Sequence, residues 1–338
     1  MKILVTGGAG YIGSHTCIKL LEEGHEIIIV DDLSNANIEV LERIRELSQK
    51  DFAFYQVNIC DFEAMDKIFG KHDIDGVIHF AGFKAVGESV AKPLEYYSNN
   101  ITGTLSLCKA MLKHDVRRMI FSSSATVYKV GNTMPVDEEA PLGCTNPYGW
   151  TKLMIEQILN DVVVANPDWS VVLLRYFNPV GAHESGRIGE DPSGIPNNLF
   201  PYITQTALGR LEKLYVFGND YDTHDGTGVR DYIHVQDLAQ GHIDAANYAI
   251  KHTGAVAINL GTGNGYSVLD MVKAFEEINQ VKVPYVIDAR RPGDVATVYA
   301  NASRAKKLLG WEAKKNLRDM CQDSWNWQKS NPNGYNKV

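Results

Sequence analysis

The feature that most constrains this chain lies at its start, where Gly7-Gly8-Ala9-Gly10-Tyr11-Ile12-Gly13 follows the apolar run 3–6 and opens a helical pattern through Ile18, Leu20 and Leu21. Glycines at these spacings, readable as GxxGxxG and as GxGxxG, permit a tight turn, bring backbone close to a pyrophosphate and let the helix pack tightly. The helix N-terminus behind them offers unpaired N–H groups and a positive dipole end to an anion. A glycine-rich turn between strand and helix is sometimes no more than a turn. Here, however, an acidic residue ends the next strand-like run, as a dinucleotide-binding unit requires: Asp31, 18 residues past Gly13, with Asp32 beside it. A carboxylate at that place accepts the adenosine ribose hydroxyls and repels a 2′-phosphate, and Ser34 to Asn37 include no Arg or Lys to attract one. The pattern predicts NAD rather than NADP.

Further short β-branched runs lie at 26–30, 52–57, 76–81, 119–122 and 170–176. Between them are helical patterns such as 37–49, where Ile38, Leu41, Ile44 and Leu47 recur at spacings of three. Alternating βα units imply a parallel sheet covered by helices on both faces. After Asn178 the chain turns loop-rich, with Pro179, Gly181, Gly186, Gly189, Pro192, Gly194 and Pro196, and a last strand-like run at 257–260 is expected to rejoin the sheet. The expected architecture is α/β, a doubly wound parallel sheet with a second, smaller α/β substrate domain. Residues 1–176 would form the dinucleotide-binding domain, with a returning segment near 231–262, and residues 177–230 and 263–338 the substrate domain.

Lys and Arg number 33 against 41 Asp and Glu, a net charge of −8, so no basic excess exists to draw nucleic acid or an anionic membrane. Any anionic ligand must be held by a few local donors. The five cysteines show no CxxC or zinc-like spacing, which fits a reduced compartment. No apolar run approaches the ~20 residues that span a bilayer. The few apolar residues before Gly7 are too short for the h-region of a signal peptide, and the expected location is cytoplasmic.

Ser124 ends a strand-like run, and Tyr148 and Lys152 stand four apart at the start of a helical pattern, where they share a face. A tyrosine near pKa ~10 is a poor base at neutral pH. A neighbouring ammonium and a nicotinamide cation both favour phenolate and bring it into useful range. The plain alternative is an exposed tyrosine and a solvated lysine after Pro147. Ser122 to Ser124 lack a GxSxG elbow, and the histidines form no HExxH pair, so His15, His79 and His234 read as packed or hydrogen-bonded and no metal is expected.

Taken together, Gly7, Gly10, Gly13, Asp31, Ser124, Tyr148 and Lys152 resemble the extended short-chain dehydrogenase/reductase family, whose fold is Rossmann-type. Longer blocks, His79 to Ser89, Pro93 to Tyr97, Arg175 to Ala182 and Gly228 to Val235, resemble its UDP-glucose 4-epimerase branch, and the likeness runs from residue 2 to about 330. The resemblance implies NAD contacts at Gly7, Gly10, Tyr11, Ile12, Gly13, Asp31, Asp32, Asn35, Asn58, Ile59, Phe80, Ala81, Lys84, Asn99, Ser124, Tyr148, Lys152 and Phe177. It implies UDP-hexose contacts at Ser124, Tyr148, Asn178, Asn198, Leu199, Val216, Phe217, Arg230, Arg291, Asp294 and Val298. Asn58 departs from an aspartate common there, though its amide oxygen still accepts from an adenine amino group.

The activity implied is an isomerase of galactose metabolism that interconverts UDP-galactose and UDP-glucose through a transient 4-keto sugar, with Tyr148, Lys152 and Ser124 catalytic. Similar enzymes with tyrosine at position 298 are confined to unmodified hexoses, so Val298 implies acceptance of UDP-N-acetylglucosamine; Tyr299 is the alternative gate. A 4,6-dehydratase shares the oxidation step, but there an Asp-Glu pair follows the catalytic Ser or Thr, where this chain has Ala125 and Thr126. A non-catalytic NAD-sensing protein is a further alternative. The apolar positions Leu153, Met154, Ile155, Ile158, Leu159 and Val162, with the long pattern 94–112, imply a homodimeric helix bundle.

Overall fold

The apolar runs of the first half all become parallel strands, because each is flanked by helices that bury both its faces. In the computed structural model, which describes residues 1–291 and 294–336, β1 (Lys2–Thr6), β2 (Glu26–Asp31), β3 (Ala53–Gln56), β4 (Gly76–His79), β5 (Arg118–Ser124) and β6 (Ser170–Tyr176) lie in one sheet. The chain later returns to it. β7 (Asn178–Val180), β8 (Leu214–Phe217) and β9 (Val229–His234) lie elsewhere, and β10 (Gly254–Leu260) pairs in parallel with β6. The sheet order is β10-β6-β5-β4-β1-β2-β3, so β1 has β2 on one side and β4 on the other. That reversal is the place where doubly wound sheets open a crevice at the carboxyl ends of their strands.

Period-two alternation divides the core. Ile3 and Val5 of β1 face one hydrophobic cluster with Cys17, Leu21, Val40, Leu41 and Ile44, and Leu4 faces the other with Met65, Leu107, Met111 and Ile155. The first cluster is covered by α1 (Tyr11–Glu22) and α2 (Glu39–Ser48). The second is covered by α3 (Phe62–Lys71), then beyond α4 (Val86–Ala91) and α5 (Pro93–Tyr97) by α6 (Gly103–Lys113) and α7 (Pro147–Ala165). Two helical readings change. In α2 the buried apolar residues are Val40, Leu41 and Ile44, whereas Ile38 precedes the helix and is exposed, since a 3.6-residue period does not sustain spacings of three. The long pattern 94–112 is helical throughout but not uniformly α: Pro93 starts α5, a π-helical turn at Ser98–Thr102 follows without a break, and α6 continues from Gly103, where a Cβ would lie 2.5 Å from the Ile59 side chain.

The remaining elements are α8 (Leu199–Ala207), α9 (Val235–Lys251), β11 (Gly265–Ser267), α10 (Val268–Asn279), β12 (Tyr285–Asp288), β13 (Thr297–Val298), α11 (Ser303–Leu309) and α12 (Leu317–Ser330). β9 pairs with β7, β11 and β13, and β8 pairs with β12. A separate cluster built on Phe200, Ile203, Tyr232, Met271, Phe275 and Trp325 holds α8, α10 and α12 together. α9 instead packs on α1 and the main sheet.

Candidate functional site

The carboxyl ends of β1, β2, β4, β5 and β6 bring most of the singled-out residues to one edge of the sheet. At β1, Gly7 adopts φ +70°, and a Cβ there would stand 2.7 Å from the Ala81 nitrogen. A Cβ on Gly13 would stand 2.2 Å from the Gly7 carbonyl oxygen, so only glycine lets α1 begin this close to the strand. Gly10 supplies the N-terminal boundary of α1 with no side-chain cap, which leaves the first N–H groups of that helix for an anion. Asp31 accepts from the Ala9 nitrogen and the Leu33 nitrogen, both at 3.0 Å, and burial pushes its carboxyl above the usual range against those bonds. Asp32 accepts from the Asn58 amide at 2.8 Å, and the Asn58 oxygen accepts from the Cys60 nitrogen at 2.9 Å. Asn58 therefore serves to hold Asp32, and only a spare lone pair of its oxygen remains for an adenine. Glycines that admit no side chain, an open helix terminus and a carboxylate at the end of β2 make a set that fits a dinucleotide.

At β5 and α7 the chemistry-bearing groups converge. Asn146 caps α7 by accepting from the Gly149 nitrogen at 2.9 Å, and Pro147 fixes its first turn. Tyr148, Lys152 and Glu156 follow at intervals of one turn, and Lys152 and Glu156 are buried. The Lys152 ammonium donates to the Ser122 carbonyl at 2.6 Å and lies 5.9 Å from the Tyr148 ring centroid. Burial pulls its pKa down to about 8, with Glu156 opposing the shift. Burial also pushes the Tyr148 phenol above its ordinary value, and a hydrogen bond with Ser124 opposes that. Thr126 donates to the Ser124 oxygen from its nitrogen at 3.2 Å and its hydroxyl at 3.0 Å, which fixes the Ser124 rotamer. The plain alternative of an exposed tyrosine and solvated lysine is thus excluded.

Beneath this cluster sits a feature the sequence reading missed. Glu156, one turn past Lys152, forms a buried bidentate pair with Arg175 of β6 at 2.6 and 3.0 Å and accepts from Ser123. The signal was available, since Arg175 stands alone among the apolar residues of β6.

The residues attributed to the sugar nucleotide lie on the second group of elements. Arg230 of β9 and Arg291 both bond Asp294, Arg291 at 3.3 Å, so one carboxylate positions two guanidinium groups. Arg291 also stacks 4.9 Å from the Phe217 ring centroid. Pro292 and Gly293, between these residues, lie outside the described residues. Val298 pairs with Arg230 across β13 and β9 and packs on a small cluster with Phe177 and Ala125, whereas Tyr299 lies beside Gly265. Asn178 is exposed and Asn198 half-buried. Tyr11 spends its hydroxyl on the Gly181 carbonyl at 2.6 Å. His79 bonds Thr6 and Thr104 through its two ring nitrogens, and burial holds it down to about 3, so it is a neutral structural group.

Comparison with known proteins agrees with this geometry. The family model described as GDP-mannose 4,6 dehydratase matches residues 4–324. The UDP-glucose 4-epimerase of Bacillus subtilis is 62% identical over 335 residues, covering 99% of each chain. Among solved structures, UDP-glucose 4-epimerase from Bifidobacterium longum in complex with NAD+ and UDP superposes with a TM-score of 0.96 at 55% identity, over 99% of this chain and 100% of that one. The enzyme from Stenotrophomonas maltophila with bound NAD and formylated UDP-arabinopyranose gives 0.96 at 49% identity, over 98% of each. Fold and motifs define an extended short-chain dehydrogenase/reductase. Within that class the chain belongs to the UDP-glucose 4-epimerase family, as its motif blocks imply.

Proposed function

We propose that this chain interconverts UDP-galactose and UDP-glucose through a transient 4-keto sugar, in galactose metabolism, with NAD held throughout the cycle. The observation that carries the reading is the meeting of Ser124, Tyr148 and the buried Lys152 ammonium at the carboxyl edge of the sheet, beside the glycine turn and Asp31. Gly7, Gly10, Gly13 and Asp31 would hold NAD, with Ile12, Asn35, Ile59, Phe80, Ala81, Lys84, Asn99 and Phe177 around it. When bound, NAD supplies the hydride acceptor and donor for C4 and a positive charge close to Tyr148.

In the ligand-free protein Tyr148 stays protonated, because burial disfavours phenolate. Positive charge must therefore gather beside it before it works as a base, and the Lys152 ammonium is the group the chain itself provides. Tyr148 then takes the proton of the C4 hydroxyl, while Ser124 donates to the same oxygen. Tyr148 returns the proton once the keto sugar presents its other face. Arg230 and Arg291, spread on Asp294, would grip the diphosphate by charge-assisted bonds and leave the hexose free to turn. Ala125 and Thr126 carry no carboxyl group, and Thr126 is occupied with Ser124, so the chain lacks the acid and base a dehydratase needs. Proton NMR of the anomeric region with UDP-galactose tests this: the UDP-glucose signal should grow, and a dehydrated keto sugar or an unchanged spectrum sinks the reading.

UDP-N-acetylglucosamine is a second substrate in this reading. Val298 belongs to the cluster with Phe177 and Ala125, next to Ser124, and Tyr299 lies by Gly265 on the other side of the segment, as alternation in an extended chain requires. A valine leaves more room there than a tyrosine. Val298→Tyr should suppress turnover of UDP-N-acetylglucosamine at least ~10-fold more than that of UDP-glucose, the scale of one overpacked contact. Equal suppression of both would remove Val298 as the gate.

The same reading takes residues 1–176 with the return near 231–262 as the cofactor domain, and 177–230 with 263–338 as the substrate domain. It takes a homodimer, supported by Val90 and Leu94 on α4 and α5 and Trp150 and Met154 on α7, all exposed. A cytoplasmic location rests on five unpaired cysteines, and no helix among the described residues is long and apolar enough to cross a membrane.

A further inference from the structure

Asn198 occupies the N-cap position of α8, where an asparagine ordinarily accepts from the N–H groups of its own helix, yet it makes no such bond. Its amide nitrogen donates instead to Glu190, at 2.7 Å. The same Glu190 oxygen receives the Lys84 ammonium at 3.1 Å, from the loop after β4. Glu190 is 11% exposed, and its chain segment is fixed from behind. Its carbonyl accepts from the Trp327 indole at 3.1 Å, Asp191 accepts from the Tyr335 nitrogen at 2.9 Å, and the Tyr335 hydroxyl bonds both polar groups of Gly189. The carboxylate is thus a stationary point, set by α12 and the C-terminal tail, to which one group from the cofactor side and one from the substrate side are tied.

We propose that Glu190 is a positioning residue for nucleotide-sugar binding, which draws the Asn198 side chain off its helix and holds its carboxamide with the oxygen free to accept from the ligand. This rests on the reading of Asn198 as a substrate contact. An asparagine amide oriented by a carboxylate through one of its two N–H groups keeps its oxygen, in a fixed direction, as the acceptor for a ligand. Diverting the cap also leaves the first N–H groups of α8 without a side-chain acceptor, in reach of a ligand anion. Without Glu190, Asn198 falls back to the cap, its oxygen is consumed by the helix and the open terminus is lost. Lys84 loses its fixed partner as well, but its ammonium keeps its charge, so cofactor retention changes less than substrate binding.

The test uses the purified protein with its bound cofactor and three variants, Glu190→Ala, Glu190→Gln and Asn198→Ala, with the double replacement of both sites. Glu190→Ala should raise the KM for UDP-galactose and the Kd for UDP about tenfold or more, equivalent to about 1.4 kcal/mol, while kcat and bound NAD(H) change less than threefold. Glu190→Gln, whose amide oxygen still accepts from Asn198, should recover most of the UDP affinity. In the Asn198→Ala background Glu190→Ala should add less than twofold. Additive effects of the two sites, an unchanged Kd in Glu190→Ala, or a Glu190→Gln variant as weak as alanine would each overturn the proposal. If the unmodified protein turns over no UDP-galactose, the proposed function falls, while the UDP Kd comparison still decides the role of Glu190.

Discussion

Replacing Arg175 by methionine isolates what the buried ion pair beneath the catalytic helix contributes. The two side chains are 5% and 3% exposed, and besides its two bonds to Glu156 the guanidinium donates to the Glu138 carbonyl at 3.1 Å and the Tyr128 hydroxyl at 3.3 Å. Methionine keeps most of the aliphatic stem and removes all of these bonds. The Glu156 carboxylate is left desolvated, with Ser123 as its remaining short contact. Removing one member of a buried pair costs about 3–5 kcal/mol, a large part of the ~5–15 kcal/mol by which domains are stable. Adding Glu156→Gln removes the stranded charge while its amide oxygen still accepts from Ser123. The double variant should therefore recover about 1–3 kcal/mol of the loss. Urea unfolding at pH 7, followed by tryptophan fluorescence and circular dichroism, measures both. A single replacement that costs under about 1 kcal/mol, or a double variant less stable than the single, would refute the idea that an unpaired buried charge dominates the effect.

Gly13→Ala places a Cβ 2.2 Å from the Gly7 carbonyl, so α1 must retreat from the turn and the variant should purify with little bound NAD(H); full occupancy would show that the close approach is dispensable. Tyr148→Phe keeps the ring and removes only the ionisable hydroxyl, so turnover should fall at least ~10²-fold with folding intact; near-normal turnover would place the base elsewhere. Lys152 titrates near 8 in the folded, ligand-free protein and near ~10.4 when unfolded. Between those values the unfolded state binds more protons, so the stability difference between the unmodified protein and Lys152→Met should shift in favour of the former as pH rises from 8 to 10, by about 2 kcal/mol. A difference that stays flat over that window would mean the folded ammonium is not desolvated.

What was legible in the sequence divides along a physical line. The glycine turn, Asp31 and the short apolar strands could be read because each is fixed by local geometry: a Cβ forbidden at Gly7 and Gly13, a two-residue alternation in β1 and β2. Their shared destination followed from the topology of a doubly wound sheet, which gathers strand ends whatever lies between. The π-helical turn at Ser98–Thr102 was not legible, because one widened turn inside a helical stretch leaves the apolar spacing of 94–112 almost unchanged. Glu190 left no local mark. It is an acid among glycines and prolines, and its partners Lys84 and Asn198 lie 106 and 8 positions away on separate elements. Arg175 stands between these cases, since a lone charge in an apolar strand demands a partner, although the sequence does not say which. A residue whose job is to orient another is invisible to spacing rules, because its selection acts on a three-dimensional angle. The diverted cap at Asn198 offers a way to find such residues in related folds: look first for capping side chains that fail to cap, then for the carboxylate that holds them away.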